Sequence, residues 1–286
     1  PYDSFSPHQD IVSERLRTLR QLQHQYQAII LAPINTLMQR LPPTDYVAVQ
    51  ALHLEKGMSL DREHFRGQLH RAGYRAVETV YEPGEYAFRG ALIDLYPVGS
   101  EQPLRIDLFD DEIDTLRHFD PDTQRSSERT ERIELLPAHE YPLTQDAIAR
   151  FREGFETLFD VDPRHCPLYL DALQGIPSPG LEQYLPLFFE HTSTLFDHIG
   201  DQLRCALMPG SFEAAESHWQ SITGRFENLG VDPTRPLLPP VKAFVPVAEL
   251  FGQINHYPRL QWRTDEEGTL VEGAAPVSYT HLTLPT

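Results

Sequence analysis

The densest run of chemistry-bearing side chains lies between Arg105 and Asp114, where Asp107, Asp110, Asp111, Glu112 and Asp114 crowd together. Carboxylates at this density could hold Mg²⁺ or Ca²⁺, which prefer hard oxygen ligands. The run lacks the glycine of a calcium-binding loop, however, and acidic residues in a turn between strands commonly keep a sheet edge from pairing with another chain. The expectation is therefore a strand-edge guard and no metal site. Other constellations are missing from the sequence: there is no glycine-rich loop ending in Lys and Ser or Thr, no His-Glu-x-x-His helix and no CxxC pair. The 13 histidines are scattered, and His139-Glu140 has no second ligand at a workable spacing, so it reads as a polar turn. No catalytic residue, metal ligand or bound cofactor is expected in this chain.

The strand that leads into the acidic run carries more information. Alternation puts Leu104, Ile106 and Leu108 on one face and Arg105, Asp107 and Phe109 on the other. The first face is core. In the preceding strand Tyr86 and Phe88 share one face, and Glu85, Ala87 and Arg89 the other, so Arg89 can join Arg105 and Phe109. Arginine and aromatic side chains are enriched at interface hot spots, because a guanidinium fork gives directional bonds and a flat ring gives large contact area. Alternation alone leaves two readings open: a partner-binding face, or a face on which Phe109 packs under the rest of the chain and both arginines pair with local acids.

Over the whole chain, 24 Lys and Arg against 42 Asp and Glu give a net charge of −18, the wrong sign for holding nucleic acid through phosphate neutralisation. A local basic patch at Arg15, Arg17 and Arg20 is interleaved with leucines on a helix and reads as a solvated face. No apolar run approaches the roughly 20 residues of a membrane helix, no N-terminal basic and apolar signal pattern is present in the sequence, and Cys166 and Cys205 could form one bridge at most. A reducing, cytoplasmic setting is expected.

The elements that would position the face follow from spacing. Asp10 to Leu22 reads as an amphipathic helix, Ala28 to Ala32 as a buried strand, and Ile34 to Leu41 as a short helix stopped by Pro42-Pro43, with a domain junction near Pro43 to Val49. A second unit is predicted to open with a strand at Val49 to Leu54, turn at Gly57 and enter a helix at Ser59 that ends at Gly73. Strands at Tyr74 to Tyr81, Glu85 to Tyr96 and Leu104 to Phe109 follow, with Asp110-Asp111-Glu112 as a hairpin turn and Ile113 to Phe119 as the returning strand. Beyond Leu135-Leu136-Pro137, helical stripes run through Ile148, Phe151, Phe155 and Leu158 and through Ala215, Trp219, Ile222, Phe226 and Leu229. They are expected to pack on the first fifty residues. Val277 to Thr286 matches neither the charge density nor the periodicity before it and reads as a non-native tail.

Long strings of this chain resemble Mfd, the bacterial transcription-repair coupling factor family. They are PYDSFSPHQDIVSERL (Pro1 to Leu16), PINTLMQRLPP (Pro33 to Pro43), GEYAFRGALIDLYPVGS (Gly84 to Ser100) and RIDLFDDEIDTLRHFDPDTQRS (Arg105 to Ser126), with LLPAHEYP, YLPLFFE and RFENLGVDPTRPLLPP further on. The likeness runs from Pro1 to about Trp262 and concerns the N-terminal part of that family, the region similar to the excision-repair subunit UvrB. It implies an α/β fold: a degenerate, UvrB-like helicase domain of the P-loop NTPase type, interrupted by a small α/β domain that binds UvrA. The corresponding division is 1–48 and 137–262 for the helicase-like domain, 49–136 for the UvrA-binding domain, and 263–286 for a linker and tail.

Carried over residue by residue, the resemblance puts the UvrA-binding surface on Arg89, Arg105 and Phe109, and so favours the partner-binding reading. It implies a recruitment role in nucleotide excision repair at stalled RNA polymerase. ATP and Mg²⁺ chemistry and contacts to RNA polymerase and DNA would belong to other modules of the parent protein, and another of its domains would mask the UvrA-binding face at rest. The chain departs from UvrB in having no room between Pro7 and Ile11 for the aromatic hairpin that clamps lesions, and in lacking a nucleotide-binding loop. The first strand and helix of the initial domain are expected upstream of Pro1. The competing reading is a fragment of a true UvrB-like ATP-dependent helicase subunit with its phosphate-binding loop removed.

Overall fold

The computed structural model describes residues 2, 6–24, 28–49 and 52–261; the suspected tail at Val277 to Thr286 lies outside them. The chain is a mixed α/β structure whose centrepiece is a six-stranded sheet. Helix α1 (Gln9–Leu22) comes first and buries Leu16 and Leu19. It is followed by α2 (Ile34–Leu37) and α3 (Thr44–Val49). Strand β1 (Leu52–Glu55) precedes α4 (Arg62–Arg71), whose first turn is capped by Asp61 accepting from the His64 amide at 2.6 Å. Gly73 then takes φ +84°, the left-handed conformation that ends a helix and that glycine adopts without a Cβ clash.

The sheet itself runs β2 (Arg75–Ala76), β3 (Glu85–Arg89), β4 (Leu92–Leu95), β5 (Leu104–Phe109), β6 (Glu112–Phe119) and β7 (Ser126–Thr130), in that spatial order. Within this sheet only the β2–β3 pair is parallel. β8 (Arg132–Leu135) returns to pair with β1. Phe65 and Leu69 of α4 pack with Ile93, Leu95, Leu104, Ile106 and Leu116, so one face of the sheet is closed by the helix. Leu16, Tyr46 and Val47 reach into that same core from α1 and α3.

The second half is mainly helical. In α5 (Gln145–Leu158), α6 (Pro167–Leu173) and α7 (Leu185–Phe188), the rings of Phe151, Phe155, Tyr169 and Phe188 gather into an aromatic core with Tyr184. α8 (Leu195–Ile199), β9 (Cys205–Leu207), α9 (Ser211–Leu229), α10 (Pro240–Ala243), α11 (Val247–Ile254) and β10 (Arg259–Gln261) complete it. Here Met38 packs with Phe196, Ala215, Ile222, Leu250 and Ile254, and β9 pairs in parallel with β10. Among the described residues no helix is long and apolar enough to cross a membrane.

Five sequence expectations need correction. The helix expected over Ile34 to Leu41 ends at Leu37, because Gln39 and Leu41 turn their backbones to bridges with Phe244 and Ser193. Ala28 to Ala32 is not a strand; Ile29 and Leu31 are 93% and 92% exposed, because among the described residues no strand offers a ladder to an otherwise strand-like run. In the stretch Val49 to Leu54, Val49 is the last residue of α3 and the strand runs over Leu52–Glu55, with positions 50–51 outside the described residues. Tyr74 to Tyr81 shrinks to Arg75–Ala76, since beyond that point the chain leaves the sheet and buries Val80 over its other face. Glu85 to Tyr96 is two strands, because Gly90 at φ +58° opens a two-residue hairpin between Arg89 and Leu92. β7 is an addition: Ser-Ser-Glu-Arg-Thr lies at the sheet edge and needs no apolar alternation to pair.

Candidate docking face

The Gly90 hairpin decides what faces what. It folds β4 back so that Asp94 sits opposite Ala87 on β3 and Arg105 on β5. Asp94 is 1% exposed, a burial that a carboxylate tolerates only when its oxygens are paired. Arg105 supplies a two-point clamp, donating from Nε to Oδ1 at 2.7 Å and from Nη2 to Oδ2 at 3.0 Å. The Arg89 guanidinium donates to Oδ2 as well. One buried carboxylate therefore holds both arginines singled out by alternation.

Arg105 is pinned on two further sides. Its guanidinium lies 4.8 Å from the centroid of the buried Phe119 ring, a cation–π contact, and Nη1 donates to the Gln124 carbonyl at 3.2 Å and to Ser126 Oγ at 3.3 Å. The hydrogen bonds to Asp94 hold the Arg105 proton more firmly than usual and raise its pKa. Its side chain is 15% exposed against 44% for Arg89. Phe109, at the opposite end of β5, is 74% exposed, its backbone paired with Glu112 across a turn in which Asp110 takes φ +53°.

The outward face is thus unlike either simple expectation. Phe109 is not covered by the rest of the chain, while Arg89 and Arg105 do pair with a local acid. Half of the face is closed by a small second core of Val80, Ala87 and Phe119, reached by the loops before β3 and after β6. Gln124 fastens those loops together by donating to the Val80 carbonyl at 3.1 Å. Arg105 stands at the border between the covered and open halves.

The acidic run resolves into separate roles. Asp107 pairs with Arg117 at 3.0 Å and accepts from Thr115 Oγ1 at 2.8 Å, while Asp110 and Asp111 form the hairpin tip. Among the described residues no group of three metal-ligating side chains converges. The arginines of α1 are engaged as well: Arg15 with the buried Glu140 at 2.9 Å, Arg17 with Glu14 at 2.6 Å, and Arg20 with Glu134 of β8 at 2.6 Å. His139, read from sequence as a polar turn, is tucked against Gly73, and burial pushes its pKa down to about 4. Cys166 and Cys205 are both free.

Sequence reasoning missed Asp94 and Phe119. The only signal for Asp94 was an acid between Ile93 and Leu95, meaningless until Gly90 is recognised as a turn.

Comparison with known proteins adds to this geometry. Residues 52–141 match the family of the UvrB interaction domain, a span that contains the whole six-stranded sheet. Over 278 residues, 96% of this chain, it is 47% identical to the transcription-repair-coupling factor of Escherichia coli strain K12, covering 24% of that protein. Over 269 residues, 93% of the chain, it is 45% identical to the transcription-repair-coupling factor of Haemophilus influenzae, covering 23% of that protein. A third relative, of the same name and from Staphylococcus haemolyticus, is 35% identical over 150 residues, 52% of the chain and 13% of the relative. The likeness to Mfd read from the sequence is borne out along most of the chain, which spans about a quarter of the length of the first two relatives.

Proposed function

We propose, from the premise that this chain corresponds to the N-terminal, UvrB-like region of a transcription-repair-coupling factor, that it is a docking region that engages UvrA and performs no bond chemistry itself. The observation that carries this reading is Phe109, a large ring left 74% exposed on the same sheet face as the arginines held by Asp94, within residues that match a UvrB interaction domain. An exposed aromatic sharing a face with arginines is the composition of an interface hot spot. In the parent protein this region recruits UvrA to stalled RNA polymerase, and contacts to polymerase and DNA, with ATP hydrolysis, belong to other modules in the bacterial cytoplasm. Another domain of the same protein covers the face at rest. The parallel β9–β10 pair, packed among α9 and α11, supports a degenerate helicase-like layer around the docking domain.

Capture of purified UvrA by the chain, measured by calorimetry, tests the proposal. Phe109→Ala and Arg89→Ala are expected to weaken binding by well over tenfold, since truncating a central anchor commonly costs about 2 kcal/mol or more. Undiminished binding by both variants would sink the assignment.

A further inference from the structure

Register extends the face beyond Arg89, Arg105 and Phe109. Arg105 of β5 lies opposite Arg117 of β6, and Arg117 lies opposite Arg129 of β7. Like charges directly opposite each other across strands destabilise a sheet. Here two such pairs are consecutive, in a chain of net charge −18 that has carboxylates in excess. The acids thin out along the row: Arg105 draws on Asp94 and Arg117 on Asp107, but among the described residues no carboxylate lies within ion-pair distance of the exposed Arg129. Arg117 remains about one third exposed and completes its contacts with Thr115 Oγ1 at 3.2 Å.

At the other end of the same strands the face is acidic, with Asp110, Asp111, Glu112 and Asp114 exposed around Phe109. Adjacent strands are about 4.8 Å apart, so the three guanidinium stems stand in a row roughly 10 Å long. That is the reach of two or three carboxylates on a folded protein surface. A nucleic-acid backbone fits less well, because its continuing phosphates would run onto the acidic end of the face.

We propose that Arg117 and Arg129 extend the docking face into a carboxylate-binding row, so that the surface UvrA presents to β5, β6 and β7 carries acidic side chains. The proposal rests on the UvrA-docking reading above and deepens it. Polarity then sets orientation: the acidic hairpin repels the same partner patch that the arginine row attracts, which admits one direction of docking and opposes its reverse.

The test uses the full chain, purified UvrA and a titration series from low to high salt. Arg129 lies on an exposed edge strand, so Arg129→Glu and Arg129→Gln should melt with the wild type. Arg129→Glu is expected to lower affinity for UvrA about tenfold, Arg129→Gln less, and both should flatten the salt dependence of binding; Arg117→Ala should do the same. If the wild type binds UvrA, Phe109→Ala weakens it and Arg129→Glu leaves affinity and salt slope unchanged, the arginine row is refuted while the docking reading stands. If the wild type does not bind UvrA, the docking reading itself fails. A parallel titration with a labelled DNA duplex covers the remaining occupant: binding to DNA that is lost in Arg129→Glu, with UvrA affinity unaltered, would overturn the carboxylate assignment.

Discussion

At the scale of single residues, Asp94 and Phe109 are opposites. Asp94 is buried and bound by two arginines, whereas Phe109 stands in solvent with little to hold it. Asp94→Ala should cost about 3–5 kcal/mol in urea denaturation, because removing one member of a buried charge cluster leaves the others uncompensated. Phe109→Ala should stay within about 0.5 kcal/mol of wild type in the same assay, since its ring is mostly exposed in the free chain. Arg105→Glu would push a second carboxylate against Asp94, so any loss of binding it shows would mix unfolding with lost contact. The residues themselves were legible in sequence; Arg89, Arg105 and Phe109 do share the outward side of the sheet. Their different depths were not, because the depth of Arg105 depends on loops that fold over Phe119 from distant sequence positions.

At the scale of elements, sequence reading succeeded where an amphipathic stripe or a tight turn acts locally. α1, α5 and α9 fall where their apolar spacing puts them, and the Asp110-Asp111 turn joins β5 to β6. It failed where a partner strand decides. Ala28 to Ala32 has strand composition and no ladder, and β7 has a ladder and no strand composition. Gly73 is the element-scale hinge between α4 and the sheet. A Cβ built there would come within 2.8 Å of the His139 ring at φ +84°, so Gly73→Ala should destabilise by about 1–3 kcal/mol, read as a drop in melting temperature with secondary structure retained.

At the scale of the whole molecule, acid stability follows from histidines that fold into the interior. Burial lowers the pKa of His139 to about 4 and lowers that of His198, whose Nε2 lies 3.0 Å from the Pro42 carbonyl. Both are more easily protonated in the unfolded chain, so their contribution is complete above pH about 6.5 and is lost as pH falls toward 4. For His139 alone the loss approaches about 2–3 kcal/mol. Burial raises the Glu140 carboxyl and acts in the opposite sense, so the histidine contribution is isolated by difference. His139→Asn should show a shallower fall in stability than wild type between pH 6.5 and 4.5 in urea titrations; parallel curves would contradict the assignment.

The grip of one carboxylate on two arginines has a kinetic consequence. A free arginine carries about 2 kcal/mol of rotamer entropy, which an interface contact must normally extinguish. On this sheet Asp94 has already limited that freedom for Arg89 and Arg105 during folding. A partner therefore meets a template with its directions set, and association should proceed at the rate of rigid-body docking, roughly 10⁵–10⁷ M⁻¹ s⁻¹ at ordinary salt, without a slow rearrangement phase in stopped-flow traces.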